Sequence, residues 1–242
     1  METVCKNCNT VFEGNYCNTC GQKADTHKLD FHFLWHDIQH GLFHYDNGIL
    51  YSFKELYTRP GHTIREYIEG KRVKHFKPIS LLIILATLYV LLNHLFHITS
   101  ATTHNDTNLI NDKTLKIIHW ISNHFSWVTL ATIPIYTLGT SICFKNQNYN
   151  FIEYFILNVF KACQRLFLNI AFIPILLFFF ESKTNNITTL VTYTISLLLG
   201  FWTNIQFFQN LPKKKIIWLS FLSHLIFLLF LLVILIIVIK IF

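Results

Sequence analysis

Cys5, Cys8, Cys17 and Cys20 stand in the order C-x2-C-x8-C-x2-C. A C-x2-C turn brings two thiolates to one face of a knuckle, and two such knuckles supply the four ligands of one tetrahedral ion. The expected cofactor is one structural Zn2+ per chain. All four positions are filled by protein, so the site is closed rather than catalytic. Lys6, Lys23 and Lys28 lie nearby and offset part of the negative charge of a tetrathiolate. A core this small predicts that residues 1–24 are unfolded without metal. The N-terminal METVCKNCNTVFEG is polar and lacks an apolar core, so no cleavable signal is expected, and a reducing compartment suits thiolates better than disulfides. The two other cysteines, Cys143 and Cys163, lie alone among apolar residues.

A second set of potential ligands follows. His32, His36, His40 and His44 recur every four residues in DFHFLWHDIQHGLFHYD. At roughly 100° per residue, Phe31, Leu34, Trp35, Ile38 and Leu42 share one stripe of a helix capped by Asp30, and the histidines take the opposite side. This reads as an amphipathic helix lying on a membrane surface, its histidine side available to a partner or to a weakly held metal. Phe33 and Phe43 among the histidines favour the partner. Histidines at i and i+4 share zinc in H-E-x-x-H enzymes, but no Glu follows the first His of any pair here. Further ligands would have to come from Asp37, His62 or His75.

The elements that carry these residues come next in the chain. Asp46-Asn47-Gly48 marks a turn, residues 49–58 read as a helix, and residues 63–69 as another that stops at Gly70. KRVKHFKP then leads into the first apolar run. Arg59, Arg65, Lys71, Arg72, Lys74 and Lys77 form a basic cluster fit for anionic headgroups or a lipid phosphate. Glu66 and Glu69 are placed to neutralise part of it.

The chain has 242 residues, 52% hydrophobic and only 14% charged. Soluble domains carry about 25% charged residues, so the deficit points to a bilayer. Apolar runs fall at 79–98, 126–144, 163–181, 187–208 and 216–239, each near the ~20 residues that cross a membrane as a helix. Residues 151–164, interrupted by Lys161 and followed by Arg165, read as an interfacial or tilted entry with snorkelling cations. Whether 151–180 forms one helix or two is left open. Pro134 and Pro174 are expected to kink their spans. Of the 20 Lys and Arg, only Lys113, Lys116, Lys183 and Lys240 fall outside residues 1–78, 145–165 and 211–215. The positive-inside rule then places the N-terminus in the cytoplasm and, with five spans, the C-terminus on the periplasmic side. The net charge of +7 is spent on topology, which argues against nucleic acid as a partner. The expected organisation is a ribbon over 1–27, cytosolic interfacial helices over 28–78 and a transmembrane domain over 79–242. The fold class is thus an all-α integral membrane protein.

The order of ribbon, histidine-rich helix and RPGHTIREYIEGKRVKHFKPIS resembles an uncharacterised family of small inner-membrane proteins common in Bacteroidota. That family is marked by P-G-x-x-I-R-E-Y-I-x-G-K-R. The residues that carry the resemblance are Pro60, Gly61, Ile64 to Ile68, Gly70, Lys71, Arg72, Phe76 and Pro78. A second stretch, YNFIEYFILNVF at 149–160, is similar to an aromatic-Asn-x-x-Glu motif before a span. The resemblance implies a bacterial inner-membrane location and this architecture. It implies no reaction.

Three functions fit these residues. The first is a non-enzymatic adaptor, assembly factor or complex subunit with a protein partner or a second copy of itself. The second is a transporter or channel for a lipid or small anion, suggested by the two prolines and the basic cluster. The third is a membrane metalloenzyme built on His36 and His40.

Overall fold

The computed structural model describes residues 2–26, 29–31, 48–96, 120, 125–178 and 182–241. The histidine row at 32–44 and the polar segment at 99–116 lie outside them. Among the described residues the chain forms one small hairpin and seven helices. Strands β1 (Thr3–Val4) and β2 (Val11–Phe12) pair antiparallel. The helices are α1 (Gly48–Thr58), α2 (Pro60–Glu69), α3 (Pro78–Leu95), α4 (Phe125–Cys143), α5 (Phe151–Phe178), α6 (Ser182–Phe207) and α7 (Lys213–Ile241).

Three helices are long and apolar enough to cross a membrane: Pro78–Leu95, Phe151–Ile175 and Lys213–Val238. A shorter apolar helix spans Val128–Cys143. The run expected at 163–181 is the second half of α5, which continues without a break from Phe151. Its start is set by a reciprocal cap. Asn150 Oδ1 accepts from the Glu153 amide at 2.8 Å, and Glu153 Oε2 accepts from the Asn150 amide at 2.8 Å. This capping box satisfies two N-terminal donors and gives the N-x-x-E of the second motif its physical role. Pro134 and Pro174 both lie inside continuous helices.

Helix α5 is the centre of the bundle. It packs against α1, α2, α3, α4 and α6, while α7 lies on α4 and α6. Ile156, Leu157, Val159, Phe160, Cys163 and Leu166 of α5 have no solvent contact. Helix α7 is the opposite case, its Leu228, Leu229, Phe230, Leu232, Val233 and Ile234 all exposed. A contiguous apolar surface of this extent suits lipid rather than water.

The short helices α1 and α2 close one end of this bundle. Pro60 occupies the first turn of α2, where its missing N–H costs nothing, and Gly70 ends it in the left-handed region at φ 116°. The amides of Gly70 and Lys71 return to Tyr67 and Glu66. The apolar side of α2 was expected at a membrane interface. Here it is covered by protein: Ile64 and Tyr67 are buried, and the Tyr67 ring meets Phe160 edge-on at 5.3 Å.

Candidate metal centre and its helical platform

The ribbon is built twice over, with an offset of twelve residues. The Cys5 amide donates to Thr10 and the Asn9 amide to Cys5; the Cys17 amide donates to Gln22 and the Gly21 amide to Cys17. Val4 pairs with Val11, and Tyr16 pairs with Lys23. Each knuckle needs one left-handed residue, supplied by Asn9 at φ 61° and Gly21 at φ 75°. Asn tolerates that region better than other residues with a Cβ, which explains its use where the second repeat has Gly.

The four Sγ atoms lie within 4.8 Å of one another, with Cys5 to Cys20 and Cys8 to Cys17 at 3.5 Å. Metal–sulfur bonds of about 2.3 Å in a tetrahedron require sulfur separations of this order. The four cysteines could therefore hold a metal ion, as their spacing predicted. The Thr10 hydroxyl, 3.3 Å from Cys8 Sγ, helps draw that thiol's pKa down to about 6. Burial pushes the Cys5 thiol up to about 11, a cost that a coordinated cation offsets by displacing the proton.

The ribbon rests on the pre-membrane segment. Gln22 Oε1 accepts from the Arg72 amide at 3.3 Å, and the Lys6 chain lies where a Cβ at Gly70 would be, 2.8 Å from its Cδ. Lys6 Nζ also donates to the Thr26 carbonyl at 2.6 Å. Leu29, fully buried in the main core, is held through its carbonyl by Asn150 Nδ2 at 3.0 Å. A cleft of about 490 Å³ runs between the two parts, with Cys8 and Cys20 on one side and Glu66, Lys71, Lys74 and His75 on the other. Val4, Val11 and Tyr16 remain exposed, at 60%, 55% and 63%.

Four cations of the basic cluster, Arg59, Arg65, Lys71 and Arg72, meet acceptors within the protein. Arg59 pairs with Glu55 and with Glu66, and Lys71 Nζ reaches Glu66 at 3.6 Å. Arg65 Nη1 donates to the carbonyls of Gln206 and Phe207, both at 3.1 Å, and its Nη2 meets His62 Nδ1 at 2.8 Å. Arg72 Nε donates to the Tyr67 carbonyl, and its guanidinium lies over the Tyr67 ring at 5.5 Å. Lys74 is exposed and Lys77 half-buried beside the first long apolar helix. Gly61 lies so close to α6 that a Cβ would collide with Phe207 N and Thr203 O. Its amide donates to Gln206 Oε1 at 3.1 Å. The P-G-x-x-I-R-E-Y-I-x-G-K-R stretch is thus a clamp: Gly61 permits the approach, Arg65 closes the end of α6, and Glu66 pairs with Arg59 and Lys71.

Sequence reading missed a polar seam through the bundle. Tyr57 OH donates to the Gln164 carbonyl and Gln164 Nε2 to the Leu56 carbonyl, both at 2.6 Å. Lys161 Nζ donates to Asn204 Oδ1 at 3.2 Å, and Asn204 Nδ2 to Ser220 Oγ at 2.8 Å. Asn158 Nδ2 reaches Thr137, Thr140 and the Tyr154 carbonyl. Lys161 and Arg165 do not snorkel outward. They line a cavity of about 100 Å³ between α4, α5, α6 and α7. Polar residues at single positions in long apolar runs were the available signal, but only packing tells that they meet.

Residues 46–90, which include the clamp, match a family described as a protein of unknown function (DUF3667). No curated protein and no solved structure matches the chain.

Proposed function

We propose that the chain is a non-enzymatic, multi-pass protein of a bacterial inner membrane that works as an adaptor or subunit of a membrane assembly. In this reading Zn2+ fills the tetrathiolate, the ribbon and clamp face the cytosol, and α3 to α7 make five crossings. The distribution of Lys and Arg supports the orientation. Exposed apolar residues along α7 support its place in lipid.

The observation that carries the adaptor reading is the mounting of the ribbon. It is anchored through Gln22, Lys6 and Leu29, while Val4, Val11 and Tyr16 stay uncovered. A metal knob of this size gains little for its own fold from exposed apolar residues, and they suit contact with a protein partner or a second copy of the chain. A photo-crosslinking residue at position 16, in protein held in mild detergent, tests this. One stoichiometric adduct that disappears with Cys17→Ser is expected. A solitary monomer with an intact, metal-loaded ribbon overturns it.

A second reading, a transporter or channel for a lipid or small anion, is favoured by one observation: two cations line the bundle cavity. Flux through reconstituted protein tests it, and silence across phospholipids and phosphate removes it.

A further inference from the structure

Lys161 and Arg165 sit one turn apart on α5, on the same face of the helix. Both line the cavity between α4, α5, α6 and α7. Lys161 Nζ has a neutral partner in Asn204 Oδ1 at 3.2 Å and lies 4.9 Å from the centre of the Tyr136 ring. Arg165 Nε is buried without a hydrogen-bond partner among the described residues. The only acidic side chain in the described part of α4 to α7 is Glu153, and its carboxylate serves the cap at Asn150, two turns away along α5.

Two cations in an apolar bundle, with no carboxylate beside them among the described residues, are costly to desolvate unless an anion joins them. Such residues mark ion or substrate sites in membrane proteins. The rest of the lining fits the same occupant. Asn158, only 3% exposed, contributes an Oδ1 with no partner among the described residues, while its amide nitrogen is fully engaged by the Thr137 and Thr140 hydroxyls and the Tyr154 carbonyl. That oxygen can accept from a ligand hydroxyl. Tyr193 OH and His224 Nε2, 2.7 Å apart, also line the cavity, and Tyr193 is itself exposed.

We propose that this cavity is a binding site for a phosphoryl anion, with Lys161 supplying a point charge, Arg165 a planar fork for two oxygens, and Asn158 an acceptor for a neighbouring hydroxyl. The volume of about 100 Å³ admits a phosphate-sized group. The same chemistry is offered by free inorganic phosphate and by the headgroup of an anionic phospholipid. The inference deepens the transporter reading, and binding is measured apart from flux. A bound anion that is not moved keeps the site and removes the transporter.

The test uses the full chain in nanodiscs of phosphatidylcholine, with thermal unfolding followed as inorganic phosphate is added or as phosphatidylglycerol replaces part of the lipid. Native mass spectrometry then identifies any retained lipid. Stabilisation by either probe is expected, weakened at least tenfold in midpoint concentration by Lys161→Gln with Arg165→Gln. Arg165→Lys keeps the charge and should bind with intermediate strength, which separates lost binding from lost folding. A Lys213→Ala, Lys214→Ala, Lys215→Ala variant should respond like the wild type. Response to phosphatidylglycerol alone assigns the site to a headgroup, and response to phosphate alone assigns it to a free ion. No response to either probe, or a response unchanged in the double variant, overturns the proposal.

Discussion

Arg65 Nη1 donates to the main-chain carbonyl of Phe207 at 3.1 Å, so a cation from the pre-membrane clamp closes the C-terminus of a bundle helix 142 residues away. The last carbonyls of a helix lack intrahelical partners and carry partial negative charge, and a guanidinium answers both needs. The same nitrogen reaches the Gln206 carbonyl. Arg65→Met is expected to cost about 1–3 kcal/mol, the range for losing a charged donor to partly buried acceptors. Arg65→Lys should recover part of it, since a single ammonium cannot reproduce the fork. Thermal unfolding in detergent, followed by size-exclusion of the surviving monomer, reads both.

Gly61 and Gly70 should fail for different reasons. At Gly61 an added Cβ meets Phe207 N and Thr203 O, which are backbone atoms of α6 and have no rotamer to yield. Gly61→Ala is expected to cost about 1–3 kcal/mol by overpacking and to separate α2 from α6. At Gly70 the Cβ meets only the flexible Lys6 chain, but the backbone is left-handed at φ 116°. Gly70→Ala should therefore cost about 1–2 kcal/mol from conformational strain. Protease nicking near residue 27 should accelerate in Gly70→Ala, because Lys6 and the ribbon lose their seat. Unchanged nicking would show that the ribbon is held elsewhere.

These positions also show what could be read from the chain and what could not. The four cysteines were legible because ligation is local: each knuckle is four residues long and its partner lies twelve residues on. Gly70 was legible as a helix stop for the same reason, while α2 begins at Pro60, three residues before the expected start. The basic cluster was not. Arg59, Arg65, Lys71 and Arg72 are close in sequence, but the partners that hold them could not be read there: they include a glutamate seven residues away and carbonyls some 140 residues away. Lys161 and Arg165 misled in the opposite direction. Helical spacing shows that they share a face, but whether that face meets lipid or the interior depends on which helices pack on α5. The helix expected to carry His32, His36, His40 and His44 lies outside the described residues, so that reading stands as it began.

His75 gives the platform a pH dependence whose sign can be worked out. It is 8% exposed, its ring lies 5.1 Å from Tyr51 and 6.1 Å from Tyr67, and its Nδ1 has no partner among the described residues. Burial pushes its pKa down to about 4, against smaller opposing pulls from Glu55 and Glu66 and a small reinforcing one from Arg59. A depressed histidine leaves stability intact above the unfolded value near 6.5 and removes it as pH falls toward 4, because the unfolded chain binds the proton first. The loss across that window is on the order of 3 kcal/mol, at ~1.4 kcal/mol per pKa unit. His75→Phe keeps the ring packing and should flatten this dependence. Unfolding midpoints at pH 7 and pH 5 for both proteins decide it. Equal acid sensitivity in the variant would assign the effect to other groups, such as the ribbon thiols.

Metal removal should separate the ribbon from the bundle. The ribbon's own core amounts to Cys5, Phe12 and Cys17 with a few neighbours, too little to hold a hairpin of two-residue strands without a bound ion. The helices have a separate core centred on α5. A chelator, or Cys17→Ser, is therefore expected to disorder residues 1–26 and leave the helical signal nearly intact. Elemental analysis of the purified protein should give one zinc per chain and none after Cys17→Ser. Zinc or iron that survives that substitution would instead place a second site on the chain, and removing it with His36→Ala and His40→Ala would assign it to the histidine row. Two separable unfolding events before chelation and one after would complete the picture, because only the ribbon's transition is linked to free metal concentration.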